Sequence, residues 1–251
     1  MHLFDLTGKK AIVTGGTGGL GRSIAEGLHA AGADLALIDV TENVALVAQE
    51  LERAGKRGIG IQADLRDRAD LGRGFHEAVT ALKGLDILVN SHGIVNRHRS
   101  EEFPMDDWDT LMEINLNSVF LLCQLAGKIM LAQGHGKVIN LASMLSFSGG
   151  YAVPAYAASK GGVAQLTKAL TNEWASHGIC VNAIAPGYMD TPMNVKLFSD
   201  PTRAPQILAR IPAGRWGDPA EIQGLAIFLA SEASNYVHGT VIPLDGGFLA
   251  R

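Results

Sequence analysis

The sequence predicts an α/β fold, a doubly wound Rossmann sheet of about seven parallel strands flanked by helices. Short β-branched runs alternate with longer helical stretches, and a glycine-rich turn follows the first run. The chain has 251 residues, and no linker rich in proline, serine or charge divides it. We therefore expect one dinucleotide-binding catalytic domain over residues 1–251.

Each element is predicted from its own pattern. The seven predicted strands are Lys10–Thr14, Leu35–Val40, Gly58–Ala63, Leu85–Asn90, Lys137–Ala142, Cys180–Ala185 and Thr240–Pro243. Helices are predicted between them, at Leu20–Ala31, at about Glu42–Ala54, and, as the two longest, around Met105–Ala132 and Pro154–His177. This alternation implies parallel strands joined by right-handed crossovers.

One segment departs from the alternation. Residues 190–218, here called the cover segment, are irregular, follow a strand end and contain four prolines: Pro192, Pro201, Pro205 and Pro212. Connections of this length are usually either functional or disordered. We predict a mobile cover over a site, and a disordered surface loop is the alternative.

Composition excludes several classes of protein. The net charge of -4 and the absence of a long basic run argue against a nucleic-acid surface. No apolar run approaches the roughly 20 residues of a membrane helix, and the N-terminus lacks the pattern of a signal peptide. Cys123 and Cys180 stand apart, without metal-ligand spacing. We expect buried thiols, no metal, no membrane partner and a cytoplasmic location.

The segment TGGTGGLG, Thr14 to Gly21, has the pattern of a dinucleotide-binding turn. Gly15 permits a tight turn out of the strand, Gly19 permits close approach of the pyrophosphate, and Gly21 permits helix–strand packing. The N-terminus of the following helix offers free N–H groups to a diphosphate. Glycine triplets are common, but the position directly after an apolar strand makes this one specific.

Asp39 ends the second strand, where a carboxylate accepts hydrogen bonds from ribose hydroxyls and repels a 2′-phosphate. Gly18, Val40 and Thr41 provide no compensating cation. We therefore predict NAD rather than NADP as cofactor. An ordinary turn or helix-capping aspartate is the alternative for Asp39 taken alone.

Tyr156 and Lys160 lie four residues apart on a predicted helix and share one face. A free phenol has a pKa near 10, whereas a cation about 4 Å away at an effective dielectric of about 20 lowers it by about 3 units. We therefore expect Lys160, with the positive nicotinamide ring, to bring the pKa of Tyr156 to about 7. A chance pairing is the alternative.

Two further polar residues complete the predicted catalytic set. Ser143 ends the strand VINLAS, at the sheet edge where ligands bind, and is expected to hold the substrate oxygen. Asn115 is an amide in an apolar helical stretch, and a water leading to Lys160 would satisfy it. The alternatives are a turn cap for Ser143 and a satisfied core amide for Asn115.

These residues, with PGYMDT at Pro186 to Thr191, resemble the short-chain dehydrogenase/reductase family over essentially the whole chain. The resemblance implies that the tyrosine is the acid/base, the lysine binds the nicotinamide ribose, the serine positions substrate and the asparagine anchors a relay water. It also implies a homotetramer built partly on the two long helices. The cofactor-binding residues that we predict are Gly15, Thr17, Gly18, Gly19, Leu20, Gly21, Asp39, Asp64, Leu65, Asn90, Gly93, Tyr156, Lys160, Pro186, Gly187, Met189 and Thr191.

The segments NLASMLSFSGG, NEWA, NAIAPGYM, RIPAGRWGDP and DGGFLAR resemble the branch of the family that acts on 2-dehydro-3-deoxy-D-gluconate or gluconate. Two departures stand out. His92 occupies a position where the family usually has alanine, and only Arg97 remains where sugar-acid relatives often carry two basic residues. The first places a bulkier ring near the cofactor, and the second leaves the exact substrate open.

A sugar acid requires a cation for its carboxylate, and arginine binds carboxylates bidentately. Arg97 is the first candidate, Arg210 and Arg215 the second, and a solvated surface arginine is the alternative for Arg97. The expected substrate-binding residues are thus Ser143, Arg97 and Tyr156. The predicted function is NAD-dependent interconversion of a secondary alcohol and a ketone on a sugar acid. Reduction of 3-oxoacyl thioesters and NAD sensing without chemistry are the rival readings.

Overall fold

The computed structural model describes residues 2–52 and 57–250 and has the predicted architecture, a seven-stranded parallel sheet between two layers of helices. The strands are β1 (Lys10–Thr14), β2 (Asp34–Asp39), β3 (Gly58–Gln62), β4 (Ile87–Asn90), β5 (Gly136–Leu141), β6 (Ile179–Pro186) and β7 (Val241–Leu244). All seven predicted strands are confirmed, with ends that differ by up to two residues.

Nine α-helices accompany the sheet in the described part of the chain. They are α1 (Gly19–Ala30), α2 (Val44–Glu52), α3 (Arg68–Leu82), α4 (Met105–Met112), α5 (Ser118–Gln133), α6 (Pro154–Trp174), α7 (Val195–Phe198), α8 (Arg203–Leu208) and α9 (Ile222–Ala230). The predicted second helix extended to Ala54, which lies outside the described residues.

The strand order is β3-β2-β1-β4-β5-β6-β7, so the direction of winding reverses between β1 and β4. Thr14 pairs with Asn90 at the carboxyl ends of these two strands. In open parallel sheets the crevice for a ligand forms at such a reversal, outside the carboxyl ends of the strands. The topology therefore places the glycine-rich turn after β1 beside the connection that follows β4.

Two apolar layers hold the sheet. On one face Phe75 of α3, Leu122 of α5 and Val163 of α6 are almost completely buried. On the other face Ile24 of α1 and residues of α2 and α9 are equally buried. A sheet covered on both faces requires continuous apolar strands, and all eight residues of β6 are buried.

The continuous helical stretch Met105–Gln133 meets the length and hydropathy of a membrane-crossing helix, by composition alone. In this fold 44% of its most apolar window is buried. Its α5 part packs against β4, β5 and α3, and a core helix meets the same criterion. This single stretch is weak evidence for a membrane span.

Candidate functional site

A cavity of about 1120 Å³ opens at the carboxyl edge of the sheet, as the reversal of strand order predicts. Its lining includes the glycine-rich turn, the ends of β2, β5 and β6, the connection after β4, the start of α6 and the cover segment. The volume exceeds the few hundred to about 1000 Å³ of a typical small-ligand pocket. It therefore has room for a large ligand and a smaller one together.

The glycine-rich turn is shaped to receive an anion. Gly15 has φ +65° and Gly19 φ +52°, conformations that favour glycine. A side chain at Gly15 would lie 2.8 Å from the Cα of His92, whereas Gly18 faces open space. Gly18 is also the N-cap residue of α1. It has no side chain to cap the helix, so the first N–H groups of α1 are left for a ligand.

Asp39 lies at the end of β2, on the cavity wall, and is held by the turn itself. Its Oδ2 accepts hydrogen bonds from the backbone N–H of Thr17 at 3.2 Å and from the Thr17 hydroxyl at 2.7 Å. Its Oδ1 accepts from the N–H of Thr41 at 3.3 Å. The carboxylate is thereby fixed beside the turn, where the 2′ position of an adenosine ribose is expected.

Asp64 and Leu65 follow β3 and line the same end of the cavity, as predicted. The Asp64 carboxylate accepts from Arg66 Nη2 at 2.6 Å, and this ion pair lowers the pKa of Asp64. Asp70 accepts from the N–H of Asp64 at 2.7 Å and fixes the loop. Arg66 lines the cavity too, but its charge is already matched by Asp64.

The predicted catalytic pair lies on the first turns of α6, which begins at Pro154. Tyr156 is half-buried on the cavity floor and Lys160 is buried. The Lys160 ammonium donates a 2.6 Å hydrogen bond to the carbonyl oxygen of Leu141 and lies 5.8 Å from the centroid of the Tyr156 ring. Burial lowers the pKa of Lys160 to about 8.

The expected lowering of the Tyr156 pKa to about 7 by Lys160 differs from what the structure gives. Burial raises the pKa of Tyr156 above its usual value, while the hydrogen bond with Ser143 and the charge of Arg97 act to lower it. Lys160 is directed to the Leu141 carbonyl instead. The lowering of the Tyr156 pKa to about 7 by Lys160 together with the nicotinamide ring therefore stays a prediction.

Ser143 is placed by a capping box at the end of β5. Its hydroxyl accepts from the N–H of Leu145 at 3.1 Å, and the Ser146 hydroxyl accepts from the N–H of Ser143 at 3.3 Å. Ser143 therefore caps a turn. Its hydroxyl also acts to lower the pKa of Tyr156, so the two groups lie near each other in the cavity. The role of Ser143 in holding the substrate oxygen stays a prediction.

Asn115 lies in a π-helical turn, Glu113–Asn117, between α4 and α5. Its amide exchanges two hydrogen bonds of 2.9 Å with the backbone of Ile94 and donates to Ser159 at 3.4 Å. The amide is fully buried, so the core-amide reading is satisfied within the protein. A side chain at Gly93 would meet both Asn115 Oδ1 at 3.2 Å and Lys160 Nζ at 3.7 Å. Asn115 thus lies next to Lys160, and the relay water stays a prediction.

His92 lines the cavity and is buried. Its Nδ1 lies 2.6 Å from the Thr14 hydroxyl and its Nε2 2.7 Å from the Ser118 hydroxyl, which in turn donates to the carbonyl oxygen of Ile114 at 2.6 Å. Burial, and then the charge of Lys160, lower the pKa of His92 to about 3. The ring is therefore neutral, and with its proton on Nε2 every partner has a consistent role.

Asn90 is the predicted cofactor residue that the structure places elsewhere. Its Nδ2 donates to Asn140 Oδ1 at 2.9 Å and to the Cys123 sulfur at 3.4 Å, inside the sheet. Asn140 continues the network by donating to the Thr167 hydroxyl at 3.0 Å. The Asn90 side chain joins β4 to β5 and does not line the cavity, so its role is in the sheet.

The cover segment is more regular than the sequence suggests, since it contains a 3₁₀ turn, α7 and α8. Leu197, Ile207 and Ile211 form an apolar cluster with Met144 and Phe248. At its two ends Asp190 donates to the carbonyl oxygen of Gly217 at 2.8 Å and Gly217 to that of Tyr188 at 3.0 Å. Neither the irregular nor the disordered reading fits these helices, and mobility stays a prediction.

The arginines that line the cavity are not all the ones predicted to bind the substrate carboxylate. Arg97 and Arg210 line the cavity, but Arg215 does not, because Glu221 holds it in a bidentate ion pair of 2.8 and 2.6 Å. Arg203, at the start of α8, lines the cavity and was missed. Nothing in an irregular segment signals which of its arginines faces inward.

Among the described residues, no group of three or more histidine, cysteine or acidic side chains is positioned to hold a metal ion. The residues present fit a dinucleotide. The open glycine turn, the uncapped helix and the fixed Asp39 offer its diphosphate and ribose suitable partners. Pro186, Gly187, Met189 and Thr191 line the wall on the other side, as predicted.

Comparison with known proteins agrees with this geometry. A family model described as enoyl-(acyl carrier protein) reductase matches residues 15–249. The 2-dehydro-3-deoxy-D-gluconate 5-dehydrogenase of Bacillus subtilis (strain 168) is 46% identical over 248 residues, 99% of this chain and 97% of the relative. The enzyme of the same name from Escherichia coli (strain K12) is 48% identical over 252 residues, 100% of this chain and 99% of the relative.

Solved structures give the same picture. A protein provisionally assigned as an NAD(P)-dependent gluconate 5-dehydrogenase from Beutenbergia cavernae, with NADP bound at low occupancy, superposes with a TM-score of 0.96 at 44% identity, covering 99% of this chain and 100% of that one. A gluconate 5-dehydrogenase from Burkholderia cenocepacia in complex with NADP and tartrate has a TM-score of 0.95 at 38% identity, covering 100% of this chain and 98% of that one.

Proposed function

The chain belongs to the short-chain dehydrogenase/reductase family, and we propose that it is an NAD-dependent dehydrogenase of a sugar acid. The reaction interconverts a secondary alcohol and a ketone on a substrate of the 2-dehydro-3-deoxy-D-gluconate or gluconate type. The observation that carries the proposal is the convergence of Ser143, Tyr156 and Lys160 on the floor of a cavity whose other end is the glycine-rich turn.

A bound nicotinamide supplies the acceptor for a hydride from the carbinol carbon. Tyr156, as phenolate, accepts the hydroxyl proton of the same alcohol while the C–H bond gives up its electron pair, so the products are a ketone and a protonated tyrosine. In reduction the phenol donates that proton. The Ser143 hydroxyl acts to lower the pKa of Tyr156, and we expect it to donate a hydrogen bond to the substrate oxygen as well.

Lys160 supports this transfer by its charge and its anchorage. The ammonium is buried within reach of the Leu141 carbonyl, and it is protonated below a pH of about 8. Burial raises the pKa of Tyr156, and a cation 5.8 Å from the centroid of its ring opposes this by favouring the phenolate over the phenol. We also expect the lysine to bind the nicotinamide ribose, as the family resemblance implies.

NAD is proposed because of Asp39. Its carboxylate is fixed by Thr17 and Thr41, and among the described residues the arginine that lines this end of the cavity, Arg66, is paired with Asp64. A 2′-phosphate would meet an unneutralised carboxylate. The two superposed relatives carry NADP. The preference for NAD is thus proposed for this chain from Asp39, and it differs from the cofactor that these two relatives hold.

Two observations support a sugar-acid substrate: the names of the relatives and the positive charge of Arg97 in the cavity. Relatives at 46% and 48% identity act, by name, on 2-dehydro-3-deoxy-D-gluconate. The relative from Burkholderia cenocepacia holds tartrate, a hydroxy acid. In this chain Arg97 lines the cavity close enough for its charge to act on Tyr156, which suits a carboxylate on the same molecule as the reacting alcohol.

A 3-oxoacyl-thioester reductase is the second enzyme reading, and the description of the matching family model shares with it only the acyl-thioester substrate, since an enoyl reductase reduces a carbon–carbon double bond. Such substrates present an apolar chain, whereas the substrate end of this cavity contains Arg97, Arg203 and Arg210. NAD sensing without chemistry would tolerate loss of Tyr156 or Lys160, and both are present.

Two further expectations stay predictions. One is a homotetramer built on α5 and α6, where Phe120 is 46% exposed. The other is a cytoplasmic location.

The test is a panel of steady-state rates with gluconate, 2-dehydro-3-deoxy-D-gluconate, neutral sugars and acetoacetyl thioesters, each with NAD(H) and NADP(H). We expect the highest kcat/KM for a sugar acid with NAD. A higher value for an acyl thioester, or no turnover of any sugar acid, would overturn the proposal.

A further inference from the structure

The substrate end of the cavity contains three guanidinium groups without a carboxylate partner. Among residues 2–52 and 57–250, Arg97, Arg203 and Arg210 form no ion pair, whereas Arg66 and Arg215 are held by acids. The acidic side chains that line the cavity are Asp39 and Asp64, both at the adenosine end. A cationic end without anions is the electrostatic complement of an anionic ligand.

Arg97 and Arg203 approach this end from separate elements. Arg97 lies in the connection between β4 and α4, and Arg203 is the first residue of α8 in the cover segment. Both charges, with that of Arg210, act on the Tyr188 hydroxyl, and the charge of Arg203 together with burial lowers the pKa of Arg97. The two guanidinium groups therefore repel each other across the cavity, and an anion between them removes that cost.

Arg203 and Arg210 differ in what already holds them. The Arg210 guanidinium stacks on Phe248 at 4.3 Å, which fastens the end of the cover segment to the apolar cluster. Arg203 lies 5.9 Å from the Tyr151 ring, which is 73% exposed, a looser contact. The neighbouring acid, Asp200, accepts from the backbone N–H groups of Thr202 and Arg203 and does not line the cavity.

We propose that Arg203 is the second guanidinium of a carboxylate clamp whose first member is Arg97, and that a carboxylate bridging the two holds the cover segment over the substrate. This rests on the proposed function, because the clamp selects acidic over neutral alcohols for the same reaction. Arg203 is thus a specificity-determining residue on a helix that the anion itself fixes in place.

In this clamp, the negative charge of the substrate stabilises the cover segment in its position over the site. A neutral polyol does not offset the repulsion between Arg97 and Arg203, so its binding does not stabilise the cover segment over the site. A carboxylate accepts hydrogen bonds from both groups, and each charge-assisted bond is strong when water is excluded. Discrimination between acid and neutral substrate is then set by two residues from different parts of the chain.

Kinetics provide the first test, with R203M, R97M, the double variant and, as matched control, K196M, which removes an exposed cation of the cover segment that does not line the cavity. We expect R203M to lower kcat/KM for gluconate with NAD about 10- to 100-fold, and to leave kcat/KM for a neutral polyol of the same length within about twofold. The double variant should lose much less than the product of the two single losses. R203K should retain part of the activity, since charge remains without the fork.

Proteolysis of the cover segment by chymotrypsin, in the presence of NAD, provides a readout that needs no turnover. Gluconate and tartrate are expected to protect wild type and K196M, to protect R203M weakly, and sorbitol is expected to protect none. Protection by sorbitol equal to that by gluconate, or equal kinetic losses in R203M and K196M, overturns the clamp. Absence of turnover with anion-specific protection would instead overturn the proposed function and leave the clamp standing.

Discussion

The Lys160 ammonium donates a 2.6 Å hydrogen bond to the carbonyl oxygen of Leu141, the last residue of β5, from a helix that also carries Tyr156. One side chain therefore fastens α6 to the sheet and brings a buried cation under the proposed acid/base. Its burial lowers the pKa of Lys160 from 10.5 to about 8, which makes this charge expensive to keep.

Replacing Lys160 with Met is expected to abolish most activity and to stabilise the cofactor-free protein at pH 7. The folded pKa lies below the unfolded one, so the unfolded state binds the proton more tightly; stability falls as pH drops from 10.5 to 8, and the loss is complete below pH 8. The shift is worth up to about 3 kcal/mol, less about 1 kcal/mol for the lost hydrogen bond. Urea unfolding should show a gain that shrinks between pH 8 and 10.5. A constant gain, or a loss at pH 7, would contradict this.

Removing the Asp39 carboxylate is expected to weaken the preference for NAD. Asp39→Ala combined with Thr41→Arg removes the acceptor of ribose hydrogen bonds and adds a cation for a 2′-phosphate. The ratio of kcat/KM for NAD to that for NADP should fall about 10- to 100-fold or more. Glu42→Ala is the matched control, because Glu42 is an exposed carboxylate three residues further along the chain that does not line the cavity. An unchanged ratio in the double variant would show that Asp39 does not choose the cofactor.

His92 is expected to contribute stability in its neutral form. His92→Ala removes hydrogen bonds to Thr14 and Ser118 and leaves a cavity, at a cost of about 3 kcal/mol in the free energy of unfolding. The exposed His135 provides the control, as His135→Ala should cost less than about 1 kcal/mol. A loss no larger in His92→Ala than in this control would exclude the structural role.

The same histidine predicts a pH dependence. Its folded pKa of about 3 lies below the ordinary value of 6.5, so the unfolded state binds the proton and stability rises with pH. The contribution is complete above pH 6.5 and is lost as pH falls toward 3. Wild type should therefore lose more stability than His92→Gln between pH 6.5 and 4. Parallel curves for the two proteins would contradict the neutral ring.

Arg97→Met is expected to raise the KM for a sugar acid and to leave the Kd for NAD unchanged. Arg97 lines the substrate end of the cavity, away from the glycine turn and Asp39. Loss of one charge-assisted hydrogen bond predicts an increase of about 10- to 100-fold in KM. Steady-state rates with gluconate and fluorescence titration with NADH measure the two quantities. Unchanged turnover of the acid would remove Arg97 from the substrate site.

Much of the fold follows from local pattern. Lys10–Thr14 has three consecutive apolar residues between a lysine and a threonine and is followed by glycine, and its prediction agrees residue for residue with β1. The turn after it and the pair Tyr156 and Lys160 also lie where their spacing places them, because short-range geometry on a helix or turn needs no tertiary information.

What the sequence missed depends on tertiary contacts. The inward position of Arg203 is set by helices that form only when Leu197 and Ile207 pack on the body of the protein. Asn90 is read as a cofactor residue by resemblance, yet its side chain pairs with Asn140 across two strands. The pKa of Tyr156 depends on which way Lys160 turns, and spacing alone does not show this.

The most direct measurement of the central claim is the effect of Tyr156→Phe on turnover. This change removes one oxygen from the cavity floor and leaves the glycine turn and Lys160 in place. The account predicts a fall in kcat of about 100- to 10,000-fold, with the Kd for NADH unchanged within about threefold by fluorescence titration. A kcat close to that of wild type, with the cofactor still bound, would contradict proton transfer by this tyrosine.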